Sequence, residues 1–217
     1  RDALHALYLA ASLTGWRGAM QSRRQPACPE AFECLLNDCP EPPSPMSFLS
    51  RLLGTQADPR DELRPLWFRI IELSRLPEYY AKCGVADTVD GRFDMVVNVL
   101  AIAMLRMEQS SGLNRKSALL TELFVEDMDG QLRESGIGDV VVGKHMGRLM
   151  GALGGRLAAL RSAIADSDME KLEGALDRNV HWSDAPDPNS LAVKLRALYE
   201  DLATRSDDDL LAGRIAQ

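Results

Sequence analysis

Three histidines, four cysteines and several closely spaced carboxylates are the residues of this chain that could do chemistry. His5, His145 and His181 are scattered and show no ligand spacing. Cys28, Cys34 and Cys39 lie near one another, with five and four residues between them. Those intervals fit no zinc pattern and a fourth ligand is missing, so they read as incidental. Cys83 stands alone without an evident histidine partner, and no nucleophile–base pair emerges. Asp127, Asp129 and Gly130 imitate calcium-loop spacing. Such a loop needs a carboxylate at its first position and a glutamate at its last. Those positions would be Val125 and Gly136. Asp87-Thr88-Val89-Asp90-Gly91 fails the same test. The residues therefore point to a protein that is not an enzyme and holds no metal or cofactor.

The same carboxylates suit binding or scaffolding. Asp87, Thr88 and Asp90 are good N-cap or first-turn residues for a helix that follows them. The alternative reading pairs Arg92 with one aspartate beside a binding surface, with Phe93 next to it. Further on, Leu120, Leu123, Phe124 and Met128 form an apolar helical stripe, and Asp127 falls inside it. A carboxylate on a core face needs a partner or a proton. Arg92 is the expected structural partner, with recognition of a ligand or partner as the alternative. Asp129 and Arg133 are one turn apart and suited to pair on the surface.

These residues are positioned by helices. Phe93–Met107 is apolar at twelve of its fifteen positions, broken only by Asp94, Asn98 and Arg106. A helix apolar nearly all round is buried on most sides. The spacing predicts a central helix over about 88–109, too short and too charged to span a bilayer. Before it, Leu63, Leu66, Trp67, Ile70 and Ile71 make an amphipathic helix with Asp61 as its N-cap, and Pro77 to Gly84 a short one. After it come a helix from Asn114 to about Ser135 and a turn at Gly136–Asp139. Val140-Val141-Val142 is a lone strand-like run. A helix over Lys144–Ala165 follows, then one opened by the capping box Ser167-Asp168-Met169-Glu170, and one over Ser190–Thr204. Asp207-Asp208-Asp209 suits the cap of a last short turn. Gly143, Gly147, Gly151 and Gly155 recur four apart, which suggests another backbone in close approach. Met146, Leu149, Met150, Leu153, Leu157, Leu160 and Ile164 form the opposite, core stripe.

The fold class is all-α, one multi-helix domain in 217 residues that are 46% hydrophobic. Residues 1–45 read as an extension ending in the proline-rich linker Pro40–Pro45, with a short apolar helix at Ala3–Leu13. The folded unit is expected from Met46 to Gln217. A net charge of −7 argues against specific nucleic-acid binding. No apolar stretch is long enough for a transmembrane segment, and the cysteines point to a reducing compartment.

The stretch GVADTVDGRFDM, followed about thirty residues later by LFVEDMDGQLRESGIGDVVVGKHMGRLMGALGGR, resembles the ubiquinol–cytochrome c chaperone family, assembly factors for respiratory complex III. The likeness runs from about Trp67 to Asn179. It rests on Asp87-Thr88, Gly91-Arg92-Phe93, Asp127-Met128-Asp129, Leu132-Arg133-Glu134, Gly136, Gly138-Asp139, Lys144 and Gly155-Arg156. It implies an all-helical, non-enzymatic chaperone whose client is a hydrophobic membrane protein such as cytochrome b. It also implies the ribosome exit region or a small helical co-chaperone as further partners. The motif residues Asp87, Asp90, Arg92, Phe93, Asp127, Asp129, Arg133, Glu134, Asp139, Lys144 and Arg156 are then the candidate partner-binding set. The length after Met46 is similar to the bacterial branch, which implies a cytoplasmic protein, peripheral at the inner membrane; a eukaryotic member would lie in the mitochondrial matrix. The chaperone reading expects an open apolar groove rimmed by the motif charges. The alternative is a helical protein that binds a small hydrophobic ligand or the membrane surface, and it expects a closed pocket or a basic amphipathic face.

Overall fold

Thr88 starts the central helix: its hydroxyl accepts a hydrogen bond from the Gly91 backbone amide, and its own backbone is extended. The computed structural model describes residues 58–134, 139–166 and 168–215, without the side chains of 134, 139–142 and 144. All of these belong to one unit, Ala57–Gln217. Among the described residues there are eight α-helices: α1 Arg64–Ser74, α2 Pro77–Ala81, α3 Val89–Met107, α4 Asn114–Glu134, α5 Asp139–Ala165, α6 Met169–Asp177, α7 Pro188–Thr204 and α8 Asp207–Leu211. The expected helix at Ala3–Leu13, the cysteines 28, 34 and 39, the linker and the start at Met46 lie outside the described residues.

Helix α3 is the axis of the fold. Every residue from Asp94 to Met107 is buried. Helices α1, α5 and α7 pack around it, with α4 alongside. At 19 residues it is about 28 Å long. No helix among the described residues is long and apolar enough to cross a membrane. Phe124 on α4 is fully buried and meets Trp67 edge-on at 6.1 Å, joining α4 to α1. Phe93 is only half-buried; its ring lies 6.5 Å from that of Phe124.

Several local expectations change. Val140-Val141-Val142 is helical, because α5 begins at Asp139 rather than Lys144. β-Branched residues lower helix propensity only slightly, and a tertiary context overrides it. Asp61 does not cap with its side chain; it sits inside a 3₁₀ turn, Asp61–Leu63, and pairs with Arg64 at 2.8 Å. Helix α6 is capped by Asp168, which accepts from the Lys171 amide. Helix α7 starts at Pro188 behind an Asp187 cap, and Ser206 caps α8.

The glycine ladder of α5 differs most. Its leucine stripe packs as expected, with Leu149, Leu153, Leu160 and Ile164 buried, while Met150 turns partly outward at 39% exposure. Gly143, Gly147, Gly151, Gly154 and Gly155 lie on the other face and are exposed. A Cβ on any of them would meet nothing within 4 Å, so the expected close backbone is not there among the described residues.

Candidate functional site

The site grows from a carboxylate inside the most apolar helix. Asp94 is 2% exposed. Buried charge is tolerated only when it is paired and fully hydrogen-bonded, and Asp94 meets both conditions. One oxygen takes the Arg156 guanidinium of α5 at 2.5 Å. The other takes the His181 backbone amide at 2.8 Å and lies 2.5 Å from His181 Nδ1. Arg156 is itself buried, gives a second hydrogen bond to the Asp94 carbonyl at 3.1 Å and a third to the Asn179 carbonyl. One carboxylate thus ties α3, α5 and the α6–α7 connection together.

That connection is also stitched by backbone. Val85 and Trp182 form an antiparallel bridge. The Ala86 amide donates to the His181 carbonyl at 2.9 Å, and the Ser183 amide to the Gly84 carbonyl at 2.9 Å. Gly84 adopts φ +74°, and a Cβ there would sit 2.0 Å from the Ala185 carbonyl oxygen. Gly91 has an equally firm requirement, since its Cβ would sit 2.0 Å from the Ala86 carbonyl oxygen. The Gly91-Arg92-Phe93-Asp94 run therefore combines one steric and one electrostatic necessity.

At the other end of α3, Arg106 is 7% exposed. It donates to the Leu202 carbonyl at 3.0 Å and the Arg205 carbonyl at 2.8 Å, and pairs with Asp207 at 2.9 Å. Ser110 donates to the second Asp207 oxygen. The Ser110 hydroxyl, then the Arg106 guanidinium, hold the Asp207 carboxyl below its ordinary range.

The remaining motif residues lie outside this buried cluster. Arg92 donates to Asp87 at 2.7 Å, and both are exposed. That bond lowers the Asp87 carboxyl and raises the Arg92 guanidinium. The pair between Arg92 and Asp127 does not form, because Asp87, five residues earlier, already holds the guanidinium. Asp127 is half-buried and accepts from Gln131 at 3.2 Å. Asp129 pairs with Arg133 at 2.6 Å, one turn on, as expected. Asp90 is half-buried in the first turn of α3. Glu134 closes α4, Asp139 opens α5 and Lys144 lies in its second turn; their side chains are outside the described set. The Phe93–Phe124 contact brings the two motif stretches together. Arg156 departs from the partner-binding expectation, since its guanidinium is buried and both of its terminal nitrogens bond inside the fold. Asp94 is the residue the expected set lacks, and the signal for it was an unpartnered charge in an apolar helix.

The chemistry is that of a scaffold. Among the described residues no cluster of His, Cys, Asp and Glu could hold a metal ion. Cys83 is buried, and burial raises its thiol, away from the thiolate a nucleophile needs. One open groove among the described residues is lined by none of the motif charges. Its volume is about 330 Å³ and it runs between α1–α2 and α7, lined by Leu73, Leu76, Tyr79, Ala197 and Leu198, with Glu78, Lys194 and Asp201 on its rim.

The profile of the family described as "Ubiquinol-cytochrome C chaperone" matches residues 81–216, from the end of α2 to the C-terminus. The chain belongs to that family. Its members are non-enzymatic, and the chain is accordingly an assembly factor for the ubiquinol–cytochrome c reductase complex, complex III. Among solved structures it is similar to the crystal structure of the Cbp3 homolog from Brucella abortus, with a TM-score of 0.63 and 28% identity over 79% of this chain and 94% of that one. No curated protein matches.

Proposed function

We propose that this chain holds newly made cytochrome b, or another membrane-embedded subunit, until complex III takes it up. The observation that carries the reading is the family match over residues 81–216, joined to a fold shared across 94% of the Brucella abortus protein. Two further features support it. The groove between α2 and α7 is open, with Leu76 40% exposed at its edge, and not the closed pocket that a small-ligand binder would need. Phe68, Val89 and Val193 are also exposed apolar side chains.

On this reading the outward motif residues, Arg92, Asp127, Asp129 and Arg133, meet a partner, while Asp94 and Arg156 keep the scaffold in shape. The protein works at the inner face of the membrane as a peripheral component, and residues 46–217 suffice for folding. The test is a crosslinking pull-down from the native cell, comparing the unaltered chain with Asp127→Asn. Cytochrome b recovered by the unaltered chain supports the reading. Absence of every membrane-protein client sinks it. Equal recovery with equal stability removes Asp127 from the partner surface.

A further inference from the structure

Helix α5 changes character at Arg156. Five of the residues between 143 and 155 are glycines: Gly143, Gly147, Gly151, Gly154 and Gly155. Each glycine inside a helix favours the unfolded chain about two- to fivefold over alanine, through the backbone freedom it gives up on folding. No close neighbour explains them, since a Cβ at any of the five would meet nothing within 4 Å. Their common effect is a stretch of helix that is weak by composition.

Anchorage divides at the same place. Among the described side chains from 143 to 155, only Leu149 and Leu153 are buried. From Arg156 onward the helix is held closely. Arg156 itself reaches the Asp94 carboxylate, the Asp94 carbonyl and the Asn179 carbonyl. Leu160, Ala163 and Ile164 are buried in the turns that follow. Arg161 pairs with Glu108 at 2.6 Å, and Arg196 donates to the Ile164 carbonyl at 3.4 Å. Segments that open locally in a folded protein have few buried apolar contacts and a weak backbone preference, and 143–155 has both traits.

We infer that residues 143–155 are a locally unfolding unit of the native protein, and that the Arg156–Asp94 clamp is the stop that confines the opening. Helix α5 packs on α3 and α4. Opening therefore withdraws Leu149 and Leu153 from the core cluster and bares the apolar surface beneath them. That surface is presented intermittently, while the rest of the domain stays folded. The opening belongs to this chain alone and is independent of the partner that the outward motif residues meet.

Hydrogen–deuterium exchange of the full chain, read by mass spectrometry, tests this. Peptides within 143–155 should be less protected than peptides within 157–165 by about tenfold or more. Gly147→Ala combined with Gly151→Ala stiffens the segment without a clash. It should raise the protection of 143–155 by about fivefold or more and leave 157–165 unchanged. Gly112→Ala, equally unobstructed but outside α5, should leave 143–155 as it is. The dye bis-ANS reports bared apolar surface, and its fluorescence should fall about twofold with the double variant. Equal protection on the two sides of Arg156 overturns the unit. Protection that the double variant does not raise overturns it as well. Dye fluorescence that the double variant leaves unchanged overturns the uncovering of apolar surface.

Discussion

Asp94 and Arg156, 62 residues apart in sequence, meet at 2.5 Å inside the core, and each is less than a tenth exposed. Removing one partner alone strands the other charge. Asp94→Asn or Arg156→Met should each lower stability by about 3–5 kcal/mol in urea titration. The double replacement Asp94→Leu with Arg156→Met should recover much of that loss. A double variant no more stable than either single one would show that the pair does more than neutralise.

Glycine replacements should split by sign. At Gly91 a methyl group runs into the Ala86 carbonyl oxygen, so Gly91→Ala should destabilise despite the better helix propensity of alanine. At Gly151 nothing obstructs it, and Gly151→Ala should stabilise by roughly 0.5–1 kcal/mol. Thermal melts of the two variants moving in the same direction would contradict the geometry.

Asn98 is 1% exposed and its Nδ2 has no hydrogen-bond partner among the described residues. Asn98→Leu removes that unsatisfied donor at similar volume and should raise stability by about 1–3 kcal/mol. Chemical denaturation reads the change directly, and a loss would mean the amide is satisfied in solution.

The Asp207 carboxyl sits below its ordinary value in the folded chain. The unfolded chain therefore binds more protons near pH 4, and the stabilisation it gives is present above about pH 4 and lost as pH falls through the folded value. Asp207→Asn should melt below the unaltered chain at pH 7, with the gap closing toward pH 3. A gap that stays constant across the titration would exclude the linkage.

Phe124, fully buried, should cost about 3–5 kcal/mol on truncation to alanine. Phe93 is half-buried, so its truncation should cost less, and the order of the two urea midpoints checks the packing of α3 on α4.

The sequence shows the central helix well. Fifteen positions with three polar breaks predict 88–109, and the helix runs Val89–Met107. Capping residues and proline mark the short helices nearly as well, because those signals act within a few residues. What the sequence conceals is distance. Arg92 lies in reach of Asp87 and Asp127 on paper, and the structure picks the local partner. Asp94 is visible as a charge in an apolar coat, but Arg156 and His181 reach it from 62 and 87 residues away, with no periodicity to announce them. The groove is hidden for the same reason, since it joins residues 73–79 to residues 194–201. The glycine ladder misleads because its spacing does not say whether a neighbour is present.

The two clamps on α3 also govern the order in which the chain can fold. Asp94 waits for His181, and Arg106 waits for Leu202 and Arg205, contacts separated by 87, 96 and 99 residues. Such non-local closure slows folding. A ribosome delivers the apolar helix long before it delivers the residues that seal it. During that interval this chain is itself a hydrophobic nascent segment, exposed to aggregation until its own C-terminal third arrives. Truncations that end before His181 should therefore accumulate as aggregates and not as a smaller fold.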